Sequence, residues 1–213
     1  MSEIEVKYID HMGTDKSVVN AARVSFSKDD DSEFTNRDEK LISYLAKHNH
    51  WSPFAHTSIQ LKVSAPIFIA RQLVKHQVGG VWNEVSRRYV SYEPKMFSPK
   101  SWRGKPENAK QGSSSDIENQ ASMFEILDKH HTDCLKLYDE MLVAGVCPEQ
   151  ARMVLPLSSM TDWYWTGSLM FWQRVCKQRM DSHAQEEARD VALLISEHCD
   201  RLFPISWKYL MGN

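Results

Sequence analysis

"HTSIQLKVSAPIFIARQLVKHQVGGVWNEVSRRYV", residues 56 to 90, changes its hydrophobic period more than once, and those changes set the architecture. Ile59, Leu61 and Val63 alternate with polar residues, the two-residue period of a strand with one buried face. From Ala65 the pattern becomes nearly continuous and apolar, with Pro66 where a helix begins, because proline is tolerated in a first turn. Gly79 and Gly80 are expected to end that helix, and "RYVSYEPKMFS" (88 to 98) to follow as a strand. In between lies a run of cation, histidine, amide, glycines and tryptophan. Local pattern alone leaves open whether it is a solvated sheet edge or a surface that holds a ligand.

Working outward, "EIEVKYI" (3 to 9) alternates as a second half-buried strand. A helix capped by Thr14 or Asp15 follows it. "SKDDDSEFTN" reads as a solvated loop, and residues 37 to 49 as an amphipathic helix that "HWSPF" breaks. "SWRGKPENAKQGSSSD" (101 to 116) is expected to be a mobile loop. A long helix from Ile117 to Val143 comes next, then a short one in "PEQARMVLP". The aromatic strand "TDWYWTGS" leads into the helix "SLMFWQRVCKQR", and a last helix spans about 182 to 202, closed by Pro204. The pattern predicts an α+β fold, a single helix-rich domain over residues 1 to 213 around a small antiparallel or mixed sheet.

The 213 residues are 42% hydrophobic and 25% charged, a globular composition. With a net charge of −2 there is no global attraction to nucleic acid or an anionic membrane, so neither is expected as a partner. No apolar run is long enough to cross a bilayer, and the acidic start "MSEIEVKYID" lacks a secretory h-region, so a cytoplasmic protein is expected. Cys134, Cys147, Cys176 and Cys199 are scattered, which suits reduced thiols better than a disulfide frame. The histidine clusters lack metal-site spacing, so no metal is expected.

Two clusters carry possible chemistry. Gln72 and Lys75 fall at the end of the Pro66 helix, on adjacent positions of one face, before the glycine pair that could let backbone approach a ligand. Glu84, Ser86 and Arg88 alternate, so an extended backbone would present acid, hydroxyl and guanidinium to one side. Such a set can read a sugar hydroxyl, a base edge and a phosphate. The second cluster is Arg174, Lys177, Gln178 and Arg179 at the end of an apolar helix, with Asp181 and Ser182 placed to cap the next one. Cations there also complement the helix dipole, a sufficient structural role. Arg152 stands among apolar residues and needs a partner if buried. Trp163, Trp165 and Trp172 read as a core stripe rather than a stacking platform. No serine elbow, Rossmann glycine motif or P-loop occurs.

Taken in order, "AARVSF", "NHWSPFAH", "NEVSRRY", "RMVLPL", "TGSLMFW" and "RMDSHAQEE" resemble the flavin-dependent thymidylate synthases, from about Ala21 to Glu187. The resemblance implies a thymidylate synthase-complementing-protein-like fold. It also implies reductive methylation of dUMP to dTMP by a homotetramer with shared active sites. The methylene would come from 5,10-methylenetetrahydrofolate and the reducing equivalents from NADPH through bound FAD, without a cysteine nucleophile. A bacterial cell or a phage-infected host is the implied setting.

Carried over by position, Arg179 matches the catalytic arginine that polarises the uracil. The implied dUMP contacts are Gln72, Lys75, Glu84, Ser86, Arg87 (through its backbone), Arg88, Arg152 and Arg179. The implied FAD contacts are Ser25, Ser52, Lys75, His76, Gln77, Asn83, Glu84, Ser168 and Arg174, and His50 falls near the flavin and the folate entrance. Lys75 and Gln77 stand where the family's signature has arginines, Arg174 where an amide is usual, and Ser168 where asparagine is usual. Arg174 is expected to offset the charge absent at Gln77. These departures keep open a catalytically silent nucleotide- or flavin-binding relative. An RNA-binding module built on Arg87 and Arg88 is weakened by the net acidity.

Overall fold

The computed structural model describes residues 3–27, 32–106 and 112–212. Four strands form one sheet in the order β1-β2-β4-β3: β1 (Glu5–Met12), β2 (Ser58–Pro66), β3 (Gly80–Glu84) and β4 (Met160–Gly167). Every pairing is antiparallel, which settles the choice between antiparallel and mixed.

β2 forms because its alternation matches the pleat. Ile59, Leu61, Val63 and Ala65 are fully buried, while Ser58, Gln60, Lys62 and Ser64 face the other side. Leu61 lies opposite Trp165 and Val63 opposite Trp163, so the two central strands share one apolar face. Trp82 of β3 stacks on Trp163 with ring centroids 4.3 Å apart, and Trp165 meets Trp172 edge-on at 5.1 Å. The tryptophans are core, as their spacing suggested.

Helices cover that face. α1 (Asp15–Arg23) is followed by a 3-10 turn at Val24–Phe26, then by α2 (Asn36–Lys47) and the short α3 (Ser52–Ala55). Thr14 caps α1, and its amide donates to Ser17 Oγ at 3.0 Å. α4 (Ile67–Leu73) leaves β2 at Pro66. α5 (Gln120–Val143), α6 (Pro148–Ala151) and a 3-10 turn at Arg152–Val154 lead to β4. α7 (Leu169–Arg179) and α8 (Glu186–Leu202) pack together against the sheet, and α9 (Pro204–Met211) closes against α2 and α8.

Several expectations are corrected. The predicted strand at 88 to 98 is absent; its chain turns at Arg87–Tyr89, and Met96 forms a single bridge with Ser159. The third strand is instead Gly80–Glu84, because Trp82 has an aromatic neighbour to stack on in β4. α4 stops at Leu73, so Lys75 lies beyond the helix, and the glycines belong to the turn and the next strand rather than to the helix end. α8 starts at Glu186 rather than 182, because Asp181 spends its carboxylate on the His183 amide at 2.8 Å in a turn of its own. Pro204 opens α9 rather than ending the helical region. The first amides of α9 are met by Asp15, which accepts from Ser206 at 2.8 Å and Ile205 at 3.0 Å.

Of the segment 101 to 116, residues 107–111 fall outside the described residues, as do 28–31 of the acidic loop. The flanks of the former are tied down: Arg103 bridges Asp116, and its guanidinium pairs with Glu187 at 2.7 Å and Glu186 at 3.0 Å.

The placement of α7 depends on two glycines. Gly80 and Gly167 are register partners, and a Cβ on either would collide with the ring of Phe171. Gly80→Ala and Gly167→Ala are each expected to cost about 1–3 kcal/mol by overpacking. In urea or thermal unfolding the Tm should fall by about 2–4 °C for each kcal/mol lost, and Phe171→Leu in the same background should recover part of it. Wild-type stability in both single variants would remove this account of the packing.

Candidate active site

α7 is apolar where it meets the sheet and α8: Leu169, Phe171, Trp172, Val175 and Cys176 are buried. Arg174 and Arg179 leave it on another side, and both reach the turn that follows α4. Ser168 opens the helix by accepting the Phe171 amide at 3.2 Å, an N-cap that its hydroxyl suits.

Arg179 Nε donates to His76 Nε2 at 2.9 Å, and its Nη2 approaches the Gln72 carbonyl at 3.5 Å. Arg174 Nη2 donates to the Val78 carbonyl at 2.6 Å, beside Gly79 with its φ of +82°. Two arginines of one helix therefore grip the turn 72 to 80 at both ends. Arg179 is half-buried, and its Nη1 makes no hydrogen bond among the described residues. Gln72 Oε1 is buried and has no partner there. A buried acceptor without a donor costs free energy, so a ligand N–H beside a free guanidinium edge suits this place.

The electrostatics follow from burial and from the arginines. Desolvation, then Arg179 and Arg174, hold His76 below the usual imidazole range, so it is neutral at pH 7. Cys176, the cysteine of α7, points the other way; its thiol donates to the Ala192 carbonyl at 3.5 Å, and burial pushes its pKa up. It is a core group, not a nucleophile.

The other half of the first sequence cluster, Glu84, Ser86 and Arg88, sits at the far end of β3 and just beyond it. Glu84 pairs in register with Trp163, whereas Gly80 pairs with Gly167. Four residue steps of strand separate them by about 13 Å. Glu84 Oε1 accepts from Thr161 at 2.8 Å, and Oε2 faces Trp82 Nε1 at 3.4 Å. Ser86 is not displayed by a strand. Its Oγ accepts from the Arg88 amide at 3.3 Å and from Arg88 Nε at 3.1 Å, so the alternating face expected for Glu84, Ser86 and Arg88 is replaced by a strand end and a turn. The Arg87 side chain is committed to the Tyr92 carbonyl and ring, and lines a cavity of about 730 Å³ on the polar side of the sheet.

The remaining positions are spread out. Asn83, Lys75 and Gln77 are exposed beside the two clusters. Ser25 follows α1, Ser52 opens α3, and His50 stacks edge-on with Tyr44 at 5.8 Å. All three are exposed. Arg152 is exposed rather than buried, and its Nε donates to the Glu149 carbonyl at 3.1 Å. No hydrogen bond among the described residues joins Ser25, Ser52, His50 or Arg152 to the α7 cluster. A larger cavity, about 870 Å³, lies elsewhere, between residues 97–103, α5 and α8.

The resemblance assigned Gln72 and Arg179 to the nucleotide and His76 to the flavin, and the contact among the three was not foreseen. Their mutual contacts span more than 100 residues and left no local signal.

Residues 7–205 match the family model described as thymidylate synthase complementing protein. The chain is 35% identical over 202 residues to the flavin-dependent thymidylate synthase of Thermus thermophilus, covering 95% of this chain and 73% of that protein. It is 35% identical over 210 residues to the flavin-dependent thymidylate synthase of Thermosipho africanus, covering 96% and 91%. Among solved structures it resembles the UMP/dUMP methylase PolB of Streptomyces cacaoi bound with 5-Br dUMP. There the TM-score is 0.90 at 27% identity, with 99% of this chain and 96% of that one covered. Sequence match and fold agree along nearly the whole length, and the chain belongs to the thymidylate synthase complementing protein family.

Proposed function

We propose that the protein is an FAD-dependent thymidylate synthase, converting dUMP to dTMP with 5,10-methylenetetrahydrofolate as carbon donor and NADPH as reductant. The observation that carries this reading is the α7 cluster. Arg179 is fixed on one edge by His76 and the Gln72 carbonyl, its Nη1 makes no hydrogen bond among the described residues, and Gln72 Oε1 is buried without a partner there. A pyrimidine offers both groups what they lack: an N–H for Gln72 and carbonyl oxygens for Arg179.

Arg179 is the catalytic residue. Its charge stabilises the negative charge that develops on the ring as C5 becomes nucleophilic, and it is oriented before the reaction begins. Gln72, Lys75, Glu84, Ser86, Arg88 and Arg152, with the Arg87 backbone, hold dUMP. Ser25, Ser52, Lys75, His76, Gln77, Asn83, Glu84, Ser168 and Arg174 hold FAD, with His50 at the folate side. FAD held by these residues would supply the redox chemistry that links NADPH to the transferred carbon.

The protein acts as a homotetramer in the cytoplasm, with each site assembled from more than one subunit. This is supported by the roughly 13 Å of β3 that separates Gly80, at the end of the turn α7 grips, from Glu84. It is also supported by the separate positions of Arg152, Ser25, Ser52 and His50. Exposed Lys75 and Gln77 in place of the family's arginines favour a second reading, a relative that binds nucleotide but does not turn over.

One experiment separates the two. The purified protein should be yellow or take up FAD, bleach with NADPH, and form dTMP from dUMP and the folate. Arg179→Ala should retain FAD and lower kcat by about 10²–10³-fold, the scale of losing one preorganised charge. FAD binding without any dTMP formation would support the silent relative; a protein that binds neither FAD nor dUMP would defeat both readings. UMP should be assayed in parallel, since PolB is described as acting on UMP and dUMP.

Arg174 offers a further test. Its guanidinium holds the Val78 carbonyl, so it acts on the flavin site through the turn as well as by charge. Arg174→Ala should weaken FAD retention far more than Lys177→Ala and speed amide exchange over residues 75–80. Equal effects of the two substitutions would contradict this role.

A further inference from the structure

We propose that His76, as the neutral imidazole, is the positioning residue for Arg179: its Nε2 accepts the arginine Nε–H and, with the Gln72 carbonyl, turns the guanidinium so that its outer edge faces the pyrimidine. This rests on the thymidylate synthase reading and adds a task that a flavin contact alone would not give the histidine.

Arg179 is the last residue of α7, and its side-chain hydrogen bonds among the described residues go to the turn after α4 rather than to its own helix. A long side chain there samples many rotamers, and fixing it removes conformational entropy. The contact at 2.9 Å supplies an acceptor along the Nε–H direction, and the carbonyl at 3.5 Å flanks Nη2 on the same edge. The bidentate edge of the guanidinium is thereby spent inside the protein. Nη1 and the remaining Nη2 proton are left for a ligand. The opposite orientation would offer the ligand the Nε edge and bury the outer one.

The contact works in one protonation state. An arginine can only donate, so Nε2 must carry a lone pair and Nδ1 the proton. Around the ring, α7 contributes the cations Arg179 and Arg174, and β4 contributes the uncharged ring of Trp165 at 6.5 Å; the neighbouring Lys75 of the histidine's own turn is exposed. No carboxylate offsets these cations among the groups that act on the ring. As pH falls through the lowered pKa, Nε2 gains a proton, two donors and two positive charges face each other, and Arg179 is released. The arrangement is intact at neutral pH and lost on the acid side.

Two measurements test this. In ligand-free protein labelled with 15N at histidine and arginine, NMR should show His76 Nε2 unprotonated at pH 7 and titrating below the ordinary 6.5. The Arg179 Nε–H should become fast-exchanging over that same pH interval. In FAD-saturated enzyme, His76→Leu should lower kcat by about 100-fold with a much smaller change in the KM for dUMP. His76→Gln, which keeps an acceptor for the Arg179 Nε–H in its amide oxygen, should stay within about tenfold of wild type, well short of the loss expected when a preorganised group is removed. The acid limb of the wild-type kcat profile should vanish in His76→Gln. A protonated Nε2 at pH 7, an Arg179 Nε–H indifferent to the His76 titration, or equal kcat losses in the leucine and glutamine variants would overturn the proposal. A wild-type protein that forms no dTMP would instead count against the thymidylate synthase reading, while the NMR result would still decide the contact.

Discussion

The ring of Phe171 resting on Gly80 and Gly167 is the contact on which the arrangement depends. It brings α7 down onto two paired strands at a place where neither has a side chain. Packing at this density leaves little freedom, so the rotation of α7 about its axis is set there. With the aromatic side seated among Trp165 and Trp172, the remaining sides of the helix are determined. Arg174, three residues on, is delivered to the Val78 carbonyl, and Arg179 to His76. A shift of one helical position would place apolar residues at the turn and cations in the core.

The same turn carries Lys75 and Gln77, both exposed, at the two positions where the resemblance read in the sequence leads one to expect arginine. Lysine keeps the charge but gives up the planar fork, and glutamine gives up the charge. Arg174 brings a guanidinium to this turn from another element and donates to its Val78 carbonyl.

Much of the fold was legible because it rests on local periodicity. The alternation of Ile59, Leu61 and Val63 predicted β2 and its buried face, and the tryptophan spacing predicted the core stripe. β3 was missed because five residues with a glycine at the head give little pattern; it exists through cross-strand stacking of Trp82 on Trp163. α9 was missed because its start is stabilised by Asp15, 190 residues away, which no window can see. For the site, residue types and order were readable, but the grouping was not. Glu84, Ser86 and Arg88 read as one face and are a strand end and a turn, whereas Gln72, His76 and Arg179 share no local pattern and are in contact.

The central claim is that Arg179 and Gln72 present their unsatisfied groups to a pyrimidine. A crystal structure of the protein with FAD and dUMP bound tests it most directly. The account predicts uracil oxygen and N–H groups within about 3 Å of the outer edge of Arg179 and of Gln72 Oε1, with the His76 contact retained. A pyrimidine bound away from α7, with Arg179 still facing solvent, would contradict it.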